Sequence, residues 1–206
     1  PRTPDIPGID HPMVISYIDA ILQRKPVGQH VAVIGAGGIG FDVSEFITHN
    51  GLSTSLDREA FWREWGIDLA LEARGGVAGV QPEPHAPARQ VYLLQRKKSK
   101  VGNGLGKTTG WIHRTGLKNK HVQMISAVEY LAVDDKGLHI RVADGEPQVL
   151  PVDTVIVCAG QDPLRELQAE LEAAGRQVHL IGGADVAAEL DAKRAINQGS
   201  RLAAEV

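Results

Sequence analysis

Cysteine is nearly absent from this sequence, since Cys158 is the only one among 206 residues. A single thiol excludes an internal disulfide, and it excludes a zinc site or an iron–sulfur cluster held by cysteines of this chain alone. Long apolar runs are also missing, so no segment has the length of a membrane span. Neither sign of charge is in large excess, because the net charge is −3, and no nucleic-acid partner is expected.

The start of the chain lacks an initiator methionine. It reads Pro1-Arg2-Thr3-Pro4, which predicts a piece of a longer polypeptide, and the proline-rich residues 1–8 predict an extended linker. No charged-then-apolar signal segment opens the sequence, so a cytoplasmic location without a membrane partner is expected. The content of 43% hydrophobic and 23% charged residues is ordinary for a globular fold.

Apolar runs that alternate with helical patterns predict an α/β fold around a parallel sheet. Buried strands are predicted at 31–34, 91–94, 154–159 and 178–181. Helices are predicted from Asp10, after Gly40, at 57–73 and 108–118, from Pro163, and at the end of the chain through Val206. Alternating segments at 122–125, 127–133, 138–142 and 148–152 predict a small antiparallel β-meander, as in three-layer ββα dinucleotide-binding domains.

The clearest motif is Gly35-Ala36-Gly37-Gly38-Ile39-Gly40, which follows a predicted strand and opens a predicted helix. In a dinucleotide-binding unit the first glycine permits the tight turn, the second lets the backbone approach a pyrophosphate, and the third lets helix and strand pack closely. The amides at the helix start and the helix dipole then attract the phosphates. A glycine-rich turn without a ligand is the alternative.

The residues after the second strand indicate NADPH rather than NADH. An NAD-binding unit carries an acidic residue roughly 20 residues past the motif, where it binds the ribose 2′-hydroxyl. Here the second strand lies farther along, after an insertion at 52–89, and it ends in Gln95-Arg96-Lys97-Lys98. Cations there would pair with a 2′-phosphate, whereas an acid would repel it. A solvated basic surface is the alternative.

A second glycine-rich loop, at 102–108, resembles an ATP-binding loop but does not match its pattern. The motif needs a glycine where this chain has Val101. We expect instead a helix start capped by Thr108 or Thr109, with Lys107 within reach of a cofactor phosphate.

A third small-residue turn, 182–185, precedes an alanine-rich helix. A strand, a small-residue turn with Asp185 and such a helix is the arrangement by which flavoproteins with two dinucleotide sites hold the ribityl chain of FAD; an ordinary strand–helix turn is the alternative. The eight histidines show no metal-ligand spacing, so no metal site is predicted. Cys158 is predicted to be an inert core thiol, and Phe61, Trp62 and Trp65 are predicted to serve packing.

Taken together, the chain resembles the C-terminal part of the bacterial NADPH-dependent 2,4-dienoyl-CoA reductases, iron–sulfur flavoenzymes related to old yellow enzyme. The segment Gly106-Lys107-Thr108-Thr109-Gly110-Trp111-Ile112-His113-Arg114 and the insertion before Val91 are the specific features. The other matching stretches are 7–12, 33–42, 94–97, 157–161 and 178–195.

The resemblance implies a parent enzyme with an FMN barrel, an iron–sulfur cluster and an FAD domain that contains an inserted NADPH domain. Electrons would pass from NADPH through FAD, the cluster and FMN to a 2,4-dienoyl-CoA. Residues 29–160 would bind NADPH, with Ala159 and Gly160 among the cofactor contacts, while 1–28 and 161–206 would belong to the FAD domain.

The barrel, the cluster cysteines and a second glycine motif are not in this sequence. Gly183, Asp185, Lys193, Arg194 and Ala195 would therefore form only part of a flavin site, and the chain alone is not expected to be a complete catalyst. Its partners would be NADPH and the remainder of the parent enzyme. Two alternatives stay open: a related old-yellow-type dehydrogenase whose equivalent domain binds ADP or nothing, such as trimethylamine dehydrogenase, and a non-catalytic assembly domain.

Overall fold

The computed structural model describes residues 1–188 and 192–205. The chain divides into two compact units, of which the larger is Pro4–Cys158 and the smaller combines Pro1–Thr3 with Ala159–Val206. No helix among the described residues is both long enough and apolar enough to cross a membrane.

The larger unit contains four α-helices and eight strands within its described residues. In chain order they are β1 (Val14–Ser16), α1 (Tyr17–Ile21), β2 (His30–Ile34), α2 (Gly38–Thr48), α3 (Arg58–Trp65), β3 (Gln90–Leu94), α4 (Gly110–Asn119), β4 (Gln123–Ile125), β5 (Val128–Asp134), β6 (Gly137–Val142), β7 (Pro147–Leu150) and β8 (Thr154–Val157). Two short 3-10 turns, Thr54–Leu56 and Arg74–Gly76, lie on either side of α3.

Five of these strands form one parallel sheet in the order β1-β8-β2-β3-β4. The central strands are continuously apolar because both of their faces are covered, and β8 is buried along its whole length. Helices α2 and α4 pack with the sheet around Phe41 and Leu117, both fully buried. The predicted α/β fold with a central parallel sheet is confirmed.

The small antiparallel sheet has three strands, in the order β5-β6-β7, rather than the four predicted. The predicted first strand of the meander, β4, instead pairs in parallel with β3, with Leu93 opposite Met124. The reason is the connection: a helix between two strands returns the chain to the starting edge of the sheet, as parallel pairing requires. Ala127, at a φ of 57°, then separates β4 from the meander.

The predicted helix from Asp10 is wrong in its position. Turns occupy the residues after Asp10, Val14 then pairs in parallel with Val155, and the helix begins only at Tyr17. Ser16 and Asp19 explain the later start, because each side chain accepts a hydrogen bond from the other's backbone amide in a capping box. The apolar spacing fitted a helix, but the cap determines where the helix starts.

Protonation of Asp19 at acid pH should destabilise the start of helix α1. Its hydrogen bond and ion pair with Lys25, at 2.7 Å, and its bonds to Ser16 lower the pKa of Asp19 from 3.8 to about 2. A carboxyl whose pKa is lowered by folding stabilises the fold above its ordinary pKa and loses that effect as the pH falls through the folded value. Asp19→Asn should therefore lower the free energy of unfolding by about 1 kcal/mol near neutral pH.

The difference between Asp19→Asn and the parent should shrink as the pH falls from about 4 toward 2. Urea unfolding across this range measures it, with Asp144→Asn, an exposed carboxylate in the turn before β7, as the matched control. A difference that stays constant with pH would contradict the assignment.

The predicted helix at 57–73 ends early, because α3 stops at Trp65. Gly66 follows in the left-handed conformation, at a φ of 66°, which is a common helix terminator. The carboxylate of Asp68 then accepts hydrogen bonds from the amides of Ala70, Glu72 and Ala73, and these bonds lower its pKa. Such local side-chain-to-backbone bonding competes with helix formation.

The aromatic residues of α3 contact other residues of the same helix. Phe61 and Trp65 have ring centroids 6.2 Å apart, and the guanidinium of Arg58 lies 5.1 Å from the centroid of Trp62. Both contacts are of the packing type that the helical spacing predicted.

The smaller unit contains α5 (Glu166–Ala173), a 3-10 turn (Gly182–Ala184) and α6 (Ala192–Ala203). The strand predicted at 178–181 is wrong, since these residues form no strand. No described segment of this unit is a strand, so the apolar run has no neighbouring strand within it to pair with. Val206, predicted on the final helix, lies outside the described residues.

Candidate dinucleotide site

The glycine motif forms a tight bend at the carboxyl end of the parallel sheet. Gly35 follows β2 with a φ of 109°, which favours glycine, and its amide donates a 3.0 Å hydrogen bond to the carbonyl of Leu94. Gly37 is the N-cap of α2, and no side chain caps the helix. The first amides of α2 therefore have no intrahelical or side-chain acceptor, and they carry the positive end of the helix dipole.

The space around the bend is asymmetric. A Cβ atom added to Gly37 or Gly38 would meet no atom within 4 Å, whereas one added to Gly40 would lie 1.8 Å from the carbonyl oxygen of Gly35. Ala36 and Ile39 pack against the hydrophobic core. The bend is thus fixed from inside by close packing and leaves room outside, as a pyrophosphate site requires.

The cationic segment after β3 lies beside this bend. Strands β2 and β3 end in register, with Ile34 opposite Leu94, so the residues after each strand are neighbours at one edge of the sheet. The side-chain amide of Gln95 donates to the carbonyls of Lys97 and Ser99, at 3.0 and 2.8 Å, and so shapes the segment.

Three cations project from this segment into solvent: Arg96, Lys97 and Lys98. None of them forms an ion pair with a carboxylate among residues 1–188 and 192–205. Burial raises the pKa of Tyr130 in β5, and the charge of Arg96 opposes that rise, so Arg96 lies near this phenol. The segment therefore offers uncompensated positive charge beside the bend.

The second glycine-rich loop packs against α2. A Cβ atom at Gly102 would lie 2.7 Å from the ring of Phe41, and the guanidinium of Arg114 donates a 2.8 Å hydrogen bond to the Gly102 carbonyl. The predicted side-chain cap is wrong: Thr109 is the N-cap of α4, but its side chain makes no capping bond and its own backbone is helical. Lys107 is exposed, and a contact with a cofactor phosphate remains a prediction.

The end of β8 completes this edge of the larger unit. The amide of Cys158 donates a 2.8 Å hydrogen bond to the carbonyl of Ile34. Burial raises the pKa of the Cys158 thiol to about 12, so the sulfur is protonated at neutral pH and is a poor nucleophile.

Ala159 and Gly160 belong to the smaller unit, where Arg2 engages both. The Arg2 guanidinium donates to the carbonyl of Ala159, and the Arg2 amide donates to the carbonyl of Gly160 at 3.1 Å. A Cβ atom at Gly160 would lie 2.5 Å from that guanidinium. A role for these two residues in cofactor binding remains a prediction.

The residues predicted to hold FAD surround the 3-10 turn of the smaller unit. The carboxylate of Asp185 accepts a 2.9 Å hydrogen bond from Gln198, whose carbonyl oxygen accepts from the amide of Gly182 at 2.7 Å. The guanidinium of Arg194 donates to the carbonyls of Val186 and Gly182, so it shapes the turn.

Three further members of the predicted FAD set lie on the turn and on α6. A Cβ atom at Gly182 would lie 2.9 Å from that of Ala195, Gly183 is half-buried in the turn, and Lys193 is exposed in the first turn of α6. Flavin binding by this set remains a prediction.

Sequence analysis did not identify one group of side chains on α4 as a candidate site. Trp111, Arg114, Thr115 and Lys118 of α4 share a cleft with Lys100 after β3. The signal was present, since residues at i, i+3, i+4 and i+7 lie on one helix face, but the polar stripe has the pattern of an ordinary solvated surface. Among the described residues, no group of three or more His, Cys, Asp or Glu side chains is arranged to hold a metal ion.

Several known proteins are similar to this chain in sequence or in fold. A curated metal reductase of Desulforamulus reducens is 25% identical over 184 residues, covering 89% of this chain and 26% of that protein. The structure of a 2-naphthoyl-CoA reductase matches 100% of this chain and 25% of its own, with a TM-score of 0.67 and 20% identity. The 6-hydroxypseudooxynicotine amine oxidase of Pseudomonas geniculata N1 matches 97% of this chain and 26% of its own, with a TM-score of 0.65 and 17% identity.

These two structural likenesses show a shared fold. The chain spans about a quarter of the length of these relatives, 25 to 26%. The sequence profile of the pyridine nucleotide-disulphide oxidoreductases matches residues 1–193, which is nearly the whole chain. The chain therefore belongs to the pyridine nucleotide-disulphide oxidoreductase family, as a domain of the FAD- and NAD(P)-dependent oxidoreductase type.

Proposed function

We propose that this chain is the NADPH-binding, electron-entry domain of a larger flavin and iron–sulfur oxidoreductase of the 2,4-dienoyl-CoA reductase type. The observation that carries the proposal is the pairing at one sheet edge of an open glycine bend with uncompensated cations. The bend suits a pyrophosphate, and the cations suit a further phosphate on the adenosine ribose. No acidic side chain follows β3, where an NAD-binding unit would place one.

The residues present fit the dinucleotide. The outer side of Gly37 and Gly38 is open, so the amides at the start of α2 would hold the pyrophosphate without side-chain obstruction. Arg96 and Lys97 would pair with the 2′-phosphate, because their charges are free of carboxylate partners among the described residues. The bound nicotinamide would supply a hydride, and this chain's part would be to bind and orient it.

A CoA-thioester reductase is the parent we favour. The 2-naphthoyl-CoA reductase, whose name gives an acyl-CoA as its substrate, matches the full length of this chain in fold. In such a parent the barrel with FMN, the iron–sulfur cluster and most of the FAD site would lie in other parts of the polypeptide. Asp185, Lys193 and Arg194 would add to the FAD site, and reduction of a 2,4-dienoyl-CoA, a step in the β-oxidation of unsaturated fatty acids, would take place on the barrel.

The test is cofactor discrimination. The double substitution Arg96→Ala and Lys97→Ala should weaken NADPH binding by about tenfold, because charge-assisted hydrogen bonds to a phosphate are lost at a solvent-screened site. NADH affinity should change by less than about twofold, since NADH lacks that phosphate. Isothermal titration calorimetry with both nucleotides measures the ratio, and Lys136→Ala, a matched lysine in the turn between β5 and β6, should change neither.

Equal losses for NADPH and NADH would remove the assignment of the cations. Binding of ADP as tight as that of NADPH, insensitive to the double substitution but lost in Gly37→Val, would favour the other candidate, a domain of an old-yellow-type amine dehydrogenase. The fold likeness to an amine oxidase is the observation behind that candidate. The exposed cations after β3 speak against it, because ADP has no 2′-phosphate for them to bind.

A further inference from the structure

A cleft lies between α4 and the edge strand β4, and none of its lining residues belongs to the glycine bend. Its volume is about 580 Å³, within the range of small-molecule sites. Val122, Met124 and Ser126 line one wall, and α4 lines the other. β4 is the last strand of the sheet, so the cleft opens at the side of the larger unit.

The polar lining of the cleft is entirely cationic or neutral. Lys100, Arg114 and Lys118 line it, and no Asp or Glu does. Among residues 1–188 and 192–205 no carboxylate lies within ion-pair distance of these three side chains. The positive charges of these three side chains repel one another, and a bound anion would reduce that repulsion. The cleft is therefore electrostatically complementary to a multiply charged anion.

An aromatic ring stands beside these charges. Trp111 is 55% exposed, a large fraction for tryptophan, and lies on the same face of α4 as Lys118. An exposed indole face beside cations is the combination that stacks a nucleobase while the cations hold its phosphates. The hydroxyl of Ser126 adds a hydrogen-bonding group for a ribose or base. The hydroxyl of Thr115 donates to the carbonyl of Trp111 at 2.8 Å, so toward a ligand it offers only its acceptor lone pairs.

We propose that this cleft is a second nucleotide site, which binds a nucleoside polyphosphate between α4 and β4. Trp111 stacks on the base, Lys100 and Lys118 bind the phosphates, and Arg114 contributes charge while its bond to Gly102 fixes its position. The glycine bend takes no part in this site. An acidic peptide would satisfy the charges but would leave the indole face unused.

The experiment uses ATP as the probe, without a divalent cation, in isothermal titration calorimetry with the full 206-residue chain. Lys118→Glu should weaken ATP binding by about tenfold or more, since a charge-assisted contact is replaced by repulsion. Trp111→Ala should weaken it by about tenfold, and Trp111→Phe should retain most of the affinity, because phenylalanine keeps a stacking face. Lys118 is exposed, so a thermal melt should show the Lys118→Glu variant folded.

Two controls separate this site from the first. Lys136→Glu makes the same charge change at a lysine outside the cleft and should leave ATP affinity unchanged. Gly37→Val should also leave ATP affinity unchanged, and Lys118→Glu should leave NADPH affinity unchanged. If the parent chain, without substitutions, bound ATP but not NADPH, the proposed cofactor function would be refuted while the second site would stand.

Three results would overturn the second site. They are an absence of ATP binding at millimolar concentration, an equal loss in Lys118→Glu and Lys136→Glu, or a loss of ATP binding in Gly37→Val. The last would place ATP on the glycine bend.

Discussion

Valine in place of Gly37 is expected to weaken both NADPH and NADH by at least about a hundredfold without unfolding the protein. The valine side chain would point into the space that a pyrophosphate needs, so each lost phosphate–amide contact adds to a steric clash. The protein itself has room for it, because a Cβ atom at this position meets nothing within 4 Å. The backbone also accepts valine, since Gly37 has a φ of −84°.

Calorimetric titration of both nucleotides, with far-ultraviolet circular dichroism to confirm the fold, measures this effect. Gly75→Ala in the insertion is a control glycine substitution away from the bend, although its φ of 65° makes a modest loss of stability expected there. Retained nucleotide affinity in folded Gly37→Val would show that the bend does not hold the dinucleotide.

Alanine in place of Gly40 should act on stability instead. The added methyl group would lie 1.8 Å from the carbonyl oxygen of Gly35, a backbone atom that cannot swing aside. Helix α2 would have to move away from β2, and overpacking of this kind costs about 1–3 kcal/mol. In a domain of this size the melting temperature should fall by roughly 2–4 °C for each kcal/mol.

Thermal and urea unfolding of Gly40→Ala, compared with Gly38→Ala, test this expectation. Gly38 lies on the same bend but has open space at its Cβ position, so its substitution should leave unfolding nearly unchanged. A melting temperature of Gly40→Ala equal to that of the parent would contradict the close approach of helix α2 to Gly35.

The glycine motif shows how far sequence reasoning reaches. The strand before it, the bend and the helix after it were all predicted, because a buried parallel strand and a phosphate-type bend each impose a strict local pattern. The structure adds that the ends of β2 and β3 lie side by side, with Ile34 opposite Leu94. The identity of the nucleotide that the bend and its cations bind does not follow from the fold, and titration with NADPH and NADH measures it.

The wrong predictions of secondary structure share a physical cause. The local pattern of apolar residues does not determine which other segment of the chain a given segment pairs with. The apolar spacing after Asp10 fitted a helix, yet Val14 found a strand partner in Val155. The run at 178–181 looked like a strand but has no described strand to pair with in its unit. The cleft beside α4 was missed for a related reason, since only the fold brings Lys100 next to Trp111 and Lys118.

The protonated, enclosed sulfur of Cys158 has a practical consequence for labelling. With a pKa of about 12, roughly one molecule in ten thousand carries the reactive thiolate near pH 8, and the atom is shielded from reagents besides. Maleimide dyes should therefore not react with Cys158 in the folded state. A cysteine introduced on the surface outside both proposed sites, in place of Lys136 for instance, can carry a fluorophore without prior removal of Cys158.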